Sequence, residues 1–175
     1  MLKRLFSLGA ATMAAMVSGC GDGPATVAGT WRSPAAWSSM IYATSQGPML
    51  IEVHGDPFGQ NAADFRAQLA QAMTNQIMGR ATAFTADPAL APQPRYRVVL
   101  AFNAPDNADV RHLCEGRVAT AATPSEKLTV LGAFCDGGTL LASVRGWVVK
   151  VDGPGDRRFR QLIAQVVRDL FGNPS

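Results

Sequence analysis

Four segments of the chain carry apolar residues in patterns typical of β-strands. In residues 49–54 and 96–102, apolar side chains recur at every second position, which is the period of a strand with one buried face. Residues 128–135 and 139–151 are richer in apolar residues and flank Asp136-Gly137-Gly138, a sequence typical of a tight hairpin turn. The pattern therefore predicts four strands, the last two of which form an antiparallel hairpin.

Two further segments carry apolar residues at the spacing of an amphipathic helix. The first follows Asn61, a good N-terminal cap, and ends at Gly79; the second follows Asp156 and ends at Gly172. The apolar stripes consist of Phe65, Leu69, Ala72, Met73 and Ile77 in the first helix and of Phe159, Leu162, Ile163, Val166, Val167 and Leu170 in the second. Each helix therefore has one face to bury against another element.

The order of these elements, β-α-β-β-β-α, predicts the α+β class. We expect a two-layer sandwich in which two helices cover one face of a mostly antiparallel sheet of about four strands. Residues 46–172 are assigned to this single domain, with a long proline-containing loop over residues 80–94. Residues 20–45 are rich in small and polar residues and predict a tether, although the aromatic residues in its later part indicate packing on the domain.

The start of the chain has the pattern of a secretory signal. Lys3 and Arg4 precede an uncharged, largely apolar run over residues 5–17, which is too short to span a bilayer. The run ends in Val17-Ser18-Gly19-Cys20, which resembles the lipobox of bacterial lipoproteins, where the cysteine is lipidated and the chain is cut just before it. The resemblance implies a signal peptide over residues 1–19 and acyl chains, palmitate among them, on Cys20. The alternative is an ordinary signal peptide beside an incidental cysteine.

The residue after the lipidated cysteine implies the membrane in which the protein resides. In bacterial lipoproteins, an aspartate at that position commonly signals retention in the inner membrane. Here the position is Gly21, and Asp22 comes one residue later. The resemblance therefore implies anchoring in the outer membrane of a double-membraned bacterium, with the domain facing the periplasm. Acyl chains suffice as an anchor because each buried methylene contributes about 0.8 kcal/mol.

Charge and composition exclude two broad classes of protein. The 175 residues include 16 Lys and Arg against 13 Asp and Glu, for a net charge of +3, which falls to +1 once Lys3 and Arg4 leave with the signal peptide. So small a charge lacks the concentrated positive field that nucleic-acid binding requires, and we expect no nucleic-acid partner. With 47% hydrophobic and 17% charged residues, the chain also differs from a disordered, highly charged polypeptide.

Two cysteines remain when Cys20 carries the lipid. An even number of cysteines in the oxidising envelope predicts one disulfide between Cys114 and Cys135, which closes a loop of about twenty residues. Two alternatives stay open. One is a zinc site that adds His112 and Asp136, although no Cys-x2-Cys pair is present, and the other is two separate buried thiols.

No pattern of residues predicts a catalytic centre. His54 and Asp56 are the residue types of a base and its orienting carboxylate, but no Gly-x-Ser-x-Gly motif presents a nucleophile. His112 and Cys114 are an equally incomplete pair, and their use in catalysis excludes the disulfide. We therefore predict no catalytic residue, no bound metal and no cofactor.

One group of charges lies where helix electrostatics disfavours it. Arg157 and Arg158 fall in the first turn of the last helix, where the macrodipole opposes cations, and Arg160 lies close by. Pairing with Asp152 and Asp156 is the simpler explanation. The alternative is an interaction site for anionic lipid, lipopolysaccharide or the acidic face of a protein partner.

The order of elements is similar to that of small envelope lipoproteins with a two-layer sandwich domain, such as accessory lipoproteins of outer-membrane assembly and cell-wall synthases. The stretches around residues 55–58 and 131–135 also resemble secreted bacterial proteins, whose function the resemblance does not supply. We expect a non-catalytic accessory or binding domain of the cell envelope, with an envelope protein as its partner. Two alternatives are a carrier of an apolar ligand or lipid, suggested by Met49, Met73 and Met78, and an envelope hydrolase that uses His54.

Overall fold

A computed structural model describes residues 22–120 and 126–172. These residues form six strands and four α-helices, with a short 3-10 helix over Pro88–Leu90. The strands are β1 (Ala25–Ala28), β2 (Met49–His54), β3 (Phe84–Thr85), β4 (Tyr96–Phe102), β5 (Lys127–Asp136) and β6 (Thr139–Val149). The helices are α1 (Ala36–Thr44), α2 (Ala62–Met73), α3 (Arg111–Cys114) and α4 (Arg157–Phe171).

The six strands form one mixed, open sheet in the order β1-β6-β5-β4-β2-β3. Strands β1, β6, β5 and β4 pair antiparallel, whereas β4, β2 and β3 pair parallel. Asp136 pairs with Thr139 across the β5–β6 hairpin, so Gly137 and Gly138 form a two-residue loop. Gly137 has φ 56°, a left-handed conformation that glycine adopts without steric cost, which explains why Asp-Gly marks this turn.

Helices α1, α2 and α4 cover one face of the sheet and enclose the main core. At its centre, Phe159 of α4 packs against Phe65 of α2 and Phe102 of β4, with ring centroids 6.2 and 6.1 Å away. The N-terminal caps follow the sequence pattern. The Asn61 side chain accepts hydrogen bonds from the backbone of α2, and the Asp156 side chain accepts one from the backbone of α4.

The opposite face of the sheet is partly covered by α3 and the loop segments beside it. Leu113 packs over Val99 and Ala101 of β4 and over Leu131 of β5, forming a smaller core. The disulfide between Cys114 and Cys135 joins α3 to β5 on this side. The α+β class is therefore present, with structure on both faces of the sheet.

The number of elements differs from the prediction. The structure has six strands and four helices within the described residues, where four strands and two helices were expected. The unexpected elements are short: β3 has two residues, α3 has a single turn, and β1 has four residues with small side chains. Helix α2 also ends at Met73 rather than at Gly79, because Thr74 turns extended and its hydroxyl bonds to the Ala70 carbonyl.

The predicted tether over residues 20–45 is too long. Within it, β1 pairs with β6, and α1 buries Ala36, Met40 and Ala43 in the main core. The predicted domain start at residue 46 therefore lies after the true one, and only residues 22–24 of the described chain precede β1. The predicted signal peptide over residues 1–19 and the lipid site Cys20 lie outside the described residues.

Candidate functional site

The first described residue is bound to the end of the longest strand. The Asp22 carboxylate accepts a hydrogen bond from the ammonium group of Lys150 at 2.7 Å, in an exposed ion pair. Lys150 follows β6, and β1 pairs with that strand beginning at Ala25, opposite Trp147. The chain therefore enters the fold at the end of the sheet where β6 ends and α4 begins.

Two cations act on the carboxylate of Asp22. The hydrogen bond from Lys150, and then its positive charge, lower the pKa of Asp22 below its ordinary value, and the charge of Arg158 lowers it further. Arg158 lies in the first turn of α4, which follows the end of β6 after a short loop and packs against β1, so the start of α4 lies near the chain entry. We call the surface formed by Asp22, Lys150, Arg157, Arg158 and Arg160 the N-terminal surface.

The arginines of this surface form no direct ion pair with a neighbouring carboxylate in the described part of the chain. Among the described residues, Arg157, Arg158 and Arg160 make no ion pair with a carboxylate, so the expected pairing with Asp152 and Asp156 is wrong. The carboxylate of Asp156 instead accepts the backbone N–H of Arg158 at 2.7 Å as the helix cap. Capping therefore takes up the carboxylate nearest to the arginines in sequence and leaves the guanidinium groups available.

A groove of about 480 Å³ runs between α2 and α4 beside these arginines. Its polar lining consists of Gln68, Gln71, Gln76, Gln161, Arg157 and Arg160. Amide and guanidinium groups offer many hydrogen-bond donors, and no carboxylate lines this groove. Such a lining suits an anionic or polyhydroxylated group. The polar stripe was readable from the sequence, because residues 68 and 71 of α2 and residues 157, 160 and 161 of α4 recur at helical spacing.

The pair formed by Cys114 and Cys135 has a structural role. Cys114 and Cys135 form a disulfide with a Cα–Cα distance of 5.5 Å, so their sulfurs are not free thiols or thiolate ligands. Arg97 reinforces the same region, because its guanidinium donates to the carbonyls of Cys114 and Gly137 at 2.9 and 2.8 Å. The zinc site considered with His112 and Asp136 therefore has no available sulfur, and the described residues contain no cluster of metal-binding side chains.

The candidate catalytic residues do not form a constellation. Nε2 of His54 is buried and has no hydrogen-bond partner among the described residues. The Asp56 carboxylate accepts the backbone N–H groups of Phe58 and Gly59 at 3.2 and 2.7 Å, so it orders its own turn. No hydrogen bond joins either side chain to a serine or cysteine in the described part of the chain. Of the two residues considered as a base and its orienting carboxylate, His54 thus lies at the end of β2 and Asp56 in the loop that follows.

The search for similar proteins found solved structures only. No family model matches the chain, and no curated protein matches it. One similar structure is the PelC dodecamer from Paraburkholderia phytofirmans, with 14% identity, a TM-score of 0.46 and coverage of 86% of this chain and 99% of that one. A point variant of the same dodecamer has 12% identity, a TM-score of 0.43 and the same coverage. Similarity at this level supports no statement about function.

The described helices were compared with the requirements of a membrane-spanning segment. None of them combines the length and the apolar composition that a bilayer-spanning helix requires.

Proposed function

We propose that the chain is a lipid-anchored protein of the bacterial cell envelope, processed after residue 19 and lipidated on Cys20. The observation that carries this proposal is the lipobox-like Val17-Ser18-Gly19-Cys20 at the end of a basic and then apolar segment, two residues before Asp22, the first described residue. Cleavage before Cys20 removes the basic and apolar signal segment and leaves every described residue in the mature chain. Gly21 after the cysteine favours the outer membrane, with the domain on the periplasmic side.

The disulfide supports an extracytoplasmic location. Cys114 and Cys135 are both buried, and their bond joins α3 to β5. Structural disulfides persist in oxidising compartments such as the periplasm and are rare in the reducing cytosol. A chain whose smaller core contains this bond is therefore suited to the compartment that the signal implies.

The domain itself is proposed to act by binding rather than by catalysis. In the described residues, the groups that suggested catalysis have structural roles or lack a nucleophile, whereas the arginines of the N-terminal surface and the glutamine groove remain available. Arginine and amide groups are typical of recognition surfaces for anions and polar polymers. We therefore assign the protein an accessory role in assembling or maintaining the cell envelope.

The two alternative functions have less support. A carrier of an apolar ligand needs space between the sheet and the helices, but Met49 and Met73 are buried in a packed core, and Met78 is 81% exposed on the surface. A hydrolase needs a nucleophile within hydrogen-bond reach of His54, and none of the described residues provides one. No observation favours either function over the binding role.

Labelling with radioactive palmitate tests the anchor. The full chain is expressed in a double-membraned bacterium, and its Cys20→Ser variant serves as the matched control. We expect label on the native chain, recovery with the outer-membrane fraction, and loss of both in the variant. An unlabelled native chain recovered with soluble periplasmic proteins contradicts the proposal.

Crosslinking in intact envelopes tests the accessory role. The lipidated chain is captured after crosslinking, and a chain with the same anchor but an unrelated domain is the control. We expect a specific protein partner that the control does not capture. Capture of no protein, together with lipid retained by the purified chain, contradicts the accessory role and favours the carrier.

A further inference from the structure

The connection between the proposed lipid site and the fold is extremely short. Cys20 precedes Asp22 by two positions, and Asp22 is held by Lys150 at 2.7 Å. Two extended residues span at most about 7 Å. Strand β1 begins only three residues after Asp22 and is paired with β6 along its length. Acyl chains on Cys20 therefore cannot lie far from the end of the sheet where the chain enters.

From this geometry we propose that the domain stands on the membrane with its N-terminal surface against the bilayer, where its arginines bind anionic phospholipid headgroups. The proposal rests on the lipid anchor proposed above. Strands β1 and β6 then run away from the membrane, and the β5–β6 hairpin lies farthest from it. Strand β6 has 11 residues, so at about 3.3 Å per residue the hairpin loop lies about 36 Å from the entry end.

The charges of the N-terminal surface fit this occupant. Arg157 and Arg160 are exposed, Arg158 is half-buried, and none of the three is paired with a carboxylate among the described residues. The planar guanidinium group binds phosphate with two parallel hydrogen bonds, which suits phospholipid headgroups. Asp152 and Asp156 lie in the adjoining turn, and the latter is occupied as a helix cap. The anchor brings the bilayer to this end of the fold, which favours headgroups over a protein as the occupant.

Two tryptophans report the orientation, because they lie near opposite ends of β6. Trp147 pairs with Ala25, close to the chain entry. Trp31 is 51% exposed and lines a cavity of about 340 Å³ with Leu140, at the hairpin end. Positions 140 and 147 are about 23 Å apart along the strand. If the domain stands on its N-terminal surface, Trp147 lies much closer to the headgroups than Trp31 does.

Energy transfer from each tryptophan to a dansyl headgroup probe measures this difference. The lipidated protein is added from detergent to preformed vesicles of phosphatidylethanolamine and phosphatidylglycerol. One variant, Trp31→Phe with Trp37→Phe, retains Trp147, and the other, Trp37→Phe with Trp147→Phe, retains Trp31. We expect several-fold more efficient transfer from Trp147. Equal transfer from the two tryptophans, or more from Trp31, overturns the proposed orientation.

The arginine contact is tested in the same vesicles. The ratio of interest is the transfer efficiency from Trp147 divided by the transfer efficiency from Trp31. We expect the double substitution Arg157→Gln with Arg158→Gln to lower this ratio towards its value in phosphatidylcholine vesicles. The matched control is Arg111→Gln, which removes an exposed arginine at the hairpin end and is expected to leave the ratio unchanged. An unchanged ratio in the double variant overturns the headgroup contact. An unchanged ratio combined with loss of a crosslinked envelope protein instead assigns the arginines to a protein partner.

The outcomes distinguish this inference from the function on which it rests. Palmitate label on the chain together with equal transfer from both tryptophans overturns the orientation and leaves the anchor in place. Absence of palmitate overturns both. Circular dichroism of each variant confirms that a change in transfer does not come from unfolding, and a variant that has unfolded is replaced by the single Arg158→Gln change.

Discussion

Removal of the disulfide is the perturbation whose effect on stability follows most directly from the structure. The double substitution Cys114→Ala with Cys135→Ala deletes a bond between residues 21 positions apart in the sequence. In the chain-entropy model, closing a loop of that length lowers the entropy of the unfolded chain by about 11 cal/mol/K, or about 3 kcal/mol at 25 °C. Both cysteines are buried, so lost packing adds to this figure.

A loss of this size is readily measured. For a domain of about 150 residues, 1 kcal/mol corresponds to about 2–4 °C, so we expect the melting temperature to fall by about 6–12 °C. Urea unfolding followed by circular dichroism gives the free energy of unfolding of the native and substituted chains. The native chain in reductant is the control: it is expected to unfold like the substituted chain, which reductant leaves unchanged. A loss below about 1 kcal/mol refutes the expectation that this bond stabilises the folded chain by restricting the unfolded one.

Three further substitutions, one of them with a matched control, test separate parts of the structure. Asp156→Ala removes the cap of α4 and is expected to lower the free energy of unfolding by about 1 kcal/mol in urea; no change contradicts the capping role. Gly146→Ala places a methyl group 2.9 Å from a side-chain carbon of α4 and is expected to cost about 1–3 kcal/mol, whereas Gly153→Ala, in open space, is nearly neutral. Because the pKa of Asp22 is lowered, its ion pair stabilises the folded state at pH values above the ordinary aspartate pKa. This stabilisation is lost as the pH falls through the lowered value. NMR titration is expected to show this pKa rising in Lys150→Gln, and an unchanged pKa refutes the pairing.

The elements with strong periodic signals were predictable from the sequence. Strand β2, strand β4, the β5–β6 hairpin and both capped amphipathic helices follow the patterns of apolar residues, because each buries one face. Strand β3 has two residues and offers no period to detect. The parallel pairing of β2 with β4 could not be predicted from the sequence either, since it depends on contacts between segments that are distant in sequence. Helix α1 carries apolar residues at helical spacing, namely Ala36, Met40 and Ala43. No side chain caps its start, so the sequence does not mark where the helix begins.

The site was predictable only in part. The arginines of the last helix were identifiable from the sequence, because positive charges in the first turn oppose the helix dipole. In the structure they form no ion pair with a carboxylate among the described residues. The ion pair between Asp22 and Lys150 links residues 128 positions apart, and no local pattern indicates it. Local rules thus identified unusual residues, whereas the surface that unites them arises from the pairing of β1 with β6.

The mass of the N-terminal peptide of the mature protein tests the central claim most directly. The account predicts a peptide that begins at Cys20 and carries a thioether-linked diacylglyceryl group, because the lipobox-like run ends at that residue. Purification from bacterial membranes, proteolysis and mass spectrometry provide the measurement. A mature chain that begins elsewhere, or an unmodified Cys20, contradicts the account and removes the basis for placing the N-terminal surface against a bilayer.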